Sequence, residues 1–372
     1  MSIIIFIVIL LVLVLVHEFG HFFTAKKFGI RVDEFGFGFP PKLFSIKRGE
    51  TEYSFNALPF GGFVKIFGEN PDDPPRLALG EAGENITDPD EDRKFFHKAK
   101  WKQAIILFAG VFANFLLAWF LFSIGFMSGL PTSISNEIKN YSVKDVHLVV
   151  ISVLPDSPAA LAGLKSGDKI IYIEKDGQAT DYISPATVQS MVAPGDKIEI
   201  GYIRGKDPTY NMIEITPKDE NGKFMIGISM DQIGTAKLPV LLAFREGLSL
   251  TTSITKGTVV GLYTLIKEAL MGKGSLNAVT GPVGMVGIVG DAYQFGFVYL
   301  LSFSALISIN LAIINLLPFP ALDGGRLFFL LIEKIKGSRM NPKIANTVNA
   351  IGFGILILLM ITVTFHDVIK LF

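Results

Sequence analysis

His17-Glu18-Phe19-Gly20-His21 sets two imidazoles four residues apart with a carboxylate beside the first. On a helix, positions i and i+4 share one face about one turn apart, so both rings can reach a single metal ion. Glu18 then stands next to them as general base for an activated water, the arrangement by which zinc hydrolyses a peptide bond. The run before it, Ile3 to Val16, holds no charged or strongly polar side chain. Ionisable groups at bilayer depth cost several kcal/mol, so residues placed there are functional candidates by default. The plainer alternative is a helix end whose polar residues snorkel to the interface.

The elements that must carry these residues are legible from apolar run length. The chain has 372 residues, of which 50% are hydrophobic and only 18% charged, with a mean hydropathy of +0.46. That is too apolar for an ordinary soluble protein and fits several spans plus a soluble module. A net charge of zero gives no reason to expect a nucleic-acid partner, and zero cysteines exclude disulfides and thiolate ligands. Four spans are expected at about Ile3–Phe23, Ala104–Met127, Phe297–Leu317 and Ala350–Phe365. Leu238–Leu270 is interrupted by Arg245, Glu246, Lys256, Lys267 and Glu268 and reads as amphipathic, lying at the interface. The first segment lacks a basic n-region and a small-residue cleavage site, so it is not read as a removed signal peptide.

Basic residues set the orientation. Lys26, Lys27, Arg31, Lys42, Lys47 and Arg48 crowd the first connection, and Lys334, Lys336, Arg339 and Lys343 the third. Both are therefore expected in the cytoplasm, with the termini and the long second connection outside. The C-terminal ends of spans one and three then face the same leaflet.

The resulting expectation is a polytopic α-helical membrane protein with a cytoplasmic, membrane-associated β-element and an inserted α+β domain. Its segments are a first span over 1–25, a loop, β-element and acidic linker over 26–97, and a second span over 98–130. The α+β domain follows over 145–218, an interfacial segment over 238–295, a third span with its turn over 296–336, and a fourth over 345–372. Within the β-element, Leu43–Lys47 and Thr51–Phe55 read as a hairpin and Gly61–Ile66 as a further strand. Gly36–Pro40 reads as a glycine-rich aromatic loop dipping toward the membrane, and Glu69–Asp92 as a mobile acidic linker. In the α+β domain, strands are expected at Val149–Val153, Gly167–Ile173, Ile198–Ile203 and Met212–Ile215. A turn with a short helix spans Asp156–Leu164, a helix Thr187–Met191, and a turn Gly195-Asp196. This domain carries no acid–base cluster, so its expected role is binding.

Span three ends in Asn310…Asn315-Leu-Leu-Pro318-Phe-Pro320-Ala-Leu-Asp323-Gly324-Gly325-Arg326. The prolines stop the helix and the glycine pair permits a tight turn. Asp323 either caps a following helix at Arg326–Ile335 or joins the two histidines; opposite a buried His-Glu-x-x-His the ligand reading is preferred. Two imidazoles and a carboxylate leave a fourth tetrahedral position open, as catalytic zinc requires. Asn315 is an amide in an apolar helix end, suited to hydrogen-bonding substrate backbone or to gluing helices together. Asn114, four residues after Gly110, has the same two readings, with packing preferred.

The order of His17–His21, Gly110-Val111-Phe112-Ala113-Asn114, one PDZ-like domain and Asn315…Pro318-Phe319-Pro320-Ala321-Leu322-Asp323-Gly324 resembles the site-2 protease family, in its bacterial RseP-type branch. The resemblance covers nearly the whole chain. It implies an intramembrane zinc metalloprotease with Zn2+ on His17, His21 and Asp323 and with Glu18 as base. It also implies that Asn315, Pro318 and Pro320 shape substrate binding, and that Gly36–Phe39 corresponds to the family's membrane-dipping GxG loop. A single PDZ-like unit departs from the enterobacterial pattern of two. The substrates implied are transmembrane segments of single-span proteins, such as anti-sigma factors or signal-peptide remnants, at a bacterial cytoplasmic (inner) membrane. The lipid bilayer and a peptide ligand of the PDZ-like domain are the other expected partners. The strand edge at Gly62, Phe63 and Val64 is the expected place for an unwound substrate to pair. The rival reading is an inactive PDZ-bearing scaffold, against which intact Glu18 argues.

Overall fold

A computed structural model describes residues 1–69, 90–134, 141, 143–180, 183–192, 197–205, 209–220, 223–272 and 280–369. The expected linker lies largely outside the described residues, and the turn at Gly195-Asp196 wholly so. The chain divides into two compact units, one of Met1–Phe122, Gly247–Gly290 and Ser302–Phe372, the other of Ser123–Glu246 and Asp291–Leu301.

Four helices are long and apolar enough to cross a membrane: α1 (Ser2–Lys27), α2 (Lys100–Ser128), α7 (Phe297–Leu316) and α9 (Pro342–Ile369). The shortest has 20 residues, which at 1.5 Å per residue gives about 30 Å, the thickness of a hydrocarbon core. The segment from 240 to 270 forms one continuous helix, α5 (Val240–Leu270), and α6 (Pro282–Phe295) precedes α7. Leu241, Val260, Tyr263 and Leu270 stand exposed along α5.

Along α1 the buried residues are Phe6, Ile9, Leu13, His17, His21 and Ala25. From Ile9 onward they recur every four residues, so the imidazoles continue an apolar stripe while Phe19 and Phe23 stay exposed. The helix stops in a Schellman turn. Gly29 adopts φ 71, Ile30 N–H reaches back to Ala25 O at 3.0 Å, and Gly29 N–H to Lys26 O at 3.0 Å. Ala25 and Ile30 then join Val32, Ile66, Phe95, Ile106 and Leu107 in one buried cluster. Each fully buried isoleucine there contributes about 1.5–3 kcal/mol.

That turn launches β1 (Val32–Arg48) into β2 (Thr51–Ile66). Both strands fold back on themselves. Residues Glu34 to Phe37 pair with Glu52–Phe55 on one side and with Gly62–Lys65 on the other, while Lys42–Arg48 pairs with Thr51–Asn56. The lateral order is therefore 62–66, 32–37, 51–56, 42–48. The expected hairpin and the further strand are both present, and among the described residues Gly62–Ile66 is an edge of the sheet. The expected loop at Gly36–Pro40 is corrected: these residues belong to β1. Gly36 lies opposite Phe63, and a Cβ at Gly36 would fall within the Phe63 ring. Here glycine provides room for an aromatic cross-strand partner, and the chain bends at Gly38, whose φ is 75. Thr51 Oγ1 donates to Val32 O (2.8 Å) and Asn56 Nδ2 to Gly38 O (3.0 Å), which satisfies polar groups inside the fold-back.

Ion pairs tie the turn of the hairpin to the end of α1. Lys26 Nζ and Arg93 both reach the Glu50 carboxylate, at 2.6 and 2.7 Å. Burial alone would raise the Glu50 pKa, but the two cations hold it below the ordinary carboxylate range. Arg31 binds Asp90 at 2.6 Å and lowers that carboxyl likewise.

The second unit is built on one sheet in the order β3-β11-β4-β5-β7-β8, with β6 on β5. Its strands are β3 (Leu130–Ser133), β4 (Lys144–Val153), β5 (Lys169–Lys175), β6 (Gln178–Thr180), β7 (Ile198–Ile203), β8 (Tyr210–Ile215) and β11 (Ile228–Ala236). Short helices α3 (Pro158–Leu161) and α4 (Pro185–Met191) are capped by Ser157 and Ser184, and β9 (Lys218–Glu220) pairs with β10 (Lys223–Met225). The boundary expected at 145–218 is too narrow, because β4 takes β11 on the edge away from β5. Leu148, Val150, Ile170, Ile173, Ile198 and Ile200 form the buried core. Two helices complete the other unit: α8 (Asp323–Lys336) follows α7, and α9 follows α8.

Candidate active site and metal centre

His17 and His21 are each 7% exposed and converge on one oxygen of Asp323. His17 Nε2 lies 3.0 Å and His21 Nε2 3.3 Å from Asp323 Oδ2, and the two Nε2 atoms are 3.2 Å apart. Around zinc with bonds of about 2.0–2.1 Å, the edges of a tetrahedron measure roughly 3.3 Å. The three atoms thus form one face of such a tetrahedron.

The chemistry of the donors agrees with the geometry. His21 Nδ1 lies 2.8 Å from Ile106 O. A carbonyl oxygen only accepts, so Nδ1 carries a proton, and in the neutral ring that ligates a metal the Nε2 lone pair then points at the site. In that form two acceptors, His21 Nε2 and Asp323 Oδ2, face each other at 3.3 Å, and Oδ2 is buried without a well-directed hydrogen bond. Such an arrangement is unfavourable unless a cation stands between them. Among the described residues these three form a group able to hold a metal ion.

Each side chain is set in place by a local backbone feature. α1 approaches α2 closely at two glycines. A Cβ at Gly20 would meet Ala109 O, and one at Gly110 would fall on His21 Nε2. Gly110 is thus the floor beneath the imidazoles, a role its place in the sequence motif did not reveal. Asp323 is the first residue of α8, whose N-cap position is held by Leu322 without a side-chain cap. The capping alternative for Asp323 is accordingly not what is seen. The turn before it is tight: Cβ atoms at Gly324 and Gly325 would strike Leu316 O and Phe319 O. Ala321 is forced to φ 72 and donates its N–H to Asn349 Oδ1 at 3.2 Å. A left-handed alanine costs on the order of 1–2 kcal/mol, strain stored two residues from Asp323.

A cavity of about 220 Å³ opens beside this cluster, lined by Glu18, His21, Asp323, Arg326 and the Gly62–Val64 edge. Gly62 lies on Glu18, since a Cβ there would be 3.3 Å from Glu18 Cγ. The candidate base and the Gly62–Val64 strand, which has no second strand partner among the described residues, therefore share one cavity wall. Asn315 Nδ2 is 3.4 Å from His17 Nε2, at the rim of the metal position. Asn114 is fully buried with Nδ2 3.4 Å from His17 Nδ1. Pro318 is exposed, whereas Pro320 packs where a Cβ on Gly352 of α9 would sit. Both prolines lie in the turn between α7 and α8. Arg326, paired with Glu69, is a cation at the cavity that the sequence motifs do not include. Its position one helical turn after Asp323 was the available signal.

Comparison with known proteins yields a match to the family model "Peptidase family M50" over residues 5–359. A zinc metalloprotease RasP from Shouchella clausii is 31% identical, over 99% of this chain and 98% of that protein. A zinc metalloprotease RasP from Geobacillus kaustophilus is 32% identical, over 100% and 98%. A Clostridium perfringens protein reaches 34% over 96% of this chain and 95% of its own length. Among solved structures, a PDZ domain from Listeria monocytogenes aligns with 24% of this chain and 93% of its own, at 31% identity and a TM-score of 0.19.

Proposed function

The chain belongs to peptidase family M50 and is a zinc metalloprotease of the site-2 type, and on that premise we propose that His17, His21 and Asp323 hold its zinc and Glu18 moves the proton. The observation that carries this reading is the triangle of Nε2, Nε2 and Oδ2 at 3.0–3.3 Å. Zinc, when bound, lowers the pKa of water toward about 7 and polarises the scissile carbonyl. Glu18, one residue after His17 and on the cavity wall, accepts the water proton and returns it to the leaving amine. Asn315 sits where its amide can donate to substrate backbone as charge develops on the carbonyl oxygen.

A membrane protein of bacterial type is supported by the four apolar helices and the RasP relatives. In this proposal the basic connections face the cytoplasm, and the active site lies near that leaflet, with the termini and the β domain outside. The substrates are transmembrane segments of single-span proteins. A helical substrate hides its carbonyls in its own hydrogen bonds and must unwind before hydrolysis. Gly62–Ile66, an edge bordering the cavity, supplies backbone groups to hold the unwound stretch by strand addition. The β domain is read as PDZ-like, with an extended peptide as its ligand class.

Glu18→Gln keeps the ligand set and removes the base. We expect it to retain one zinc per chain and to lose cleavage of a membrane-embedded single-span substrate. Cleavage equal to wild type would remove Glu18 from the mechanism. Proline at whichever of Phe63 and Val64 points its N–H to the open edge should cut turnover about tenfold or more with zinc retained. Unchanged turnover would displace the substrate from this edge.

A further inference from the structure

His17 and His21 face the same site, yet their far nitrogens are held differently. His21 Nδ1 meets a main-chain carbonyl, Ile106 O, which fixes its tautomer. His17 Nδ1 meets the side-chain amide of Asn114 at 3.4 Å. An amide can present either oxygen or nitrogen there, and the two are isosteric. With Nδ2 toward the ring, Nδ1 must accept, and the His17 proton moves to Nε2, where it occupies the direction of the metal. Asn114 Oδ1 is then buried with no partner, in a residue fully shielded from solvent.

Resting on the zinc reading above, we propose that Asn114 is the positioning residue for His17: its amide turns Oδ1 to Nδ1–H and holds the tautomer whose Nε2 lone pair binds zinc. A turn of the amide by 180° gives Oδ1 the Nδ1–H donor and frees Nε2, with Nδ2 taking the place that Oδ1 leaves. A ligating histidine commonly donates its second ring N–H to an oxygen that fixes its tautomer, and loss of such a partner lowers metal affinity about 10–100-fold. The backbone at this point is anchored independently of the amide, because Ser308 Oγ donates to Asn114 O at 2.8 Å. That main-chain bond joins the two helices without using the amide, which leaves the side chain to face His17.

The test uses the full chain in detergent or nanodiscs with 15N-labelled histidine. Ring tautomers are read by long-range proton–nitrogen correlation in metal-free protein, and zinc affinity by chelator competition. Wild type should carry the His17 proton on Nδ1, as His21 does. Asn114→Leu should shift His17 toward the Nε2–H form, leave His21 unchanged, and weaken zinc about 10–100-fold. Asn114→Asp keeps an acceptor and should hold both the tautomer and zinc affinity within a few fold of wild type. A His17 proton on Nε2 in metal-free wild type would overturn the proposal even if no variant folds. So would an Asn114→Leu protein with unchanged tautomer and affinity, or an Asn114→Asp protein that loses zinc as Asn114→Leu does. Wild type that binds no zinc would instead refute the metal reading, while the tautomer measurement would still decide the role of Asn114.

Discussion

Asp168 and Asp323 are both carboxylates withdrawn from water, in different units of the chain, and their surroundings differ in kind. Asp168 is fully buried and completely supplied with donors. Arg204 Nε and Nη2 each reach it at 2.7 Å, and Lys165 N–H adds a bond at 2.8 Å. Arg204 also donates to Gly163 O at 2.8 Å, so the pair pins the loop after α3 to the end of β7. Asp323, 15% exposed, faces two imidazole nitrogens, and its Oδ2 has no well-directed hydrogen bond. A buried carboxylate ringed by donors is structural, whereas one ringed by acceptors awaits a cation.

The largest effects should come from the unsatisfied site. A Cβ at Gly110 would occupy the space of His21 Nε2, so Gly110→Ala should weaken zinc by at least about 100-fold and abolish proteolysis. Gly257→Ala on α5, where a Cβ meets nothing within 4 Å, should leave both unchanged. Metal analysis of the two purified proteins checks this; equal zinc content would remove Gly110 from the floor of the site.

Asp323→Asn and Asp168→Asn should then separate in opposite directions. Asp323→Asn should lose zinc, yet its metal-free form should unfold no more easily than wild type, because an amide can donate to His21 Nε2. Asp168→Asn should keep zinc and lower the stability of the β domain by about 2 kcal/mol, read from thermal unfolding. If both variants lost stability equally and both kept zinc, the distinction between the two carboxylates would collapse.

The smallest effect concerns the turn that presents Asp323. Ala321→Gly removes a left-handed alanine and should raise metal-free stability by about 1 kcal/mol. Turnover should fall if the strained turn aims the carboxylate, and comparing unfolding midpoint with turnover in the same preparation shows whether the two move oppositely.

Much of this arrangement was legible in the residues themselves. His17, Glu18 and His21 are fixed relative to one another by helix geometry, and Asp323 was expected beside them from the basic residues flanking two apolar runs, where its carboxylate lies 3.0 and 3.3 Å from the imidazoles. Gly61–Ile66 was readable as a strand, and the four long apolar helices from run length. What escaped reading depends on contacts between distant segments. Gly36-Phe37-Gly38 has the composition of a loop, and only pairing on both sides, with Phe63 over Gly36, makes it strand. Ile228–Ala236 joins β4 through a partner some 80 residues earlier in the chain, which local pattern does not specify. The carbonyl of Ile106 has no side-chain signature at all, and alanine at 321 carries no sign of a positive φ. Gly110 was part of a recognised motif, yet its purpose appears only when α1 is laid against α2.

X-ray absorption at the zinc edge of the purified, membrane-reconstituted chain tests the central claim most directly. The account predicts one zinc per chain with two imidazole nitrogens, one carboxylate oxygen and one further light atom in its first coordination sphere, and loss of the carboxylate contribution in Asp323→Asn. Absence of zinc, or a wild-type spectrum with fewer than two imidazoles, would contradict it.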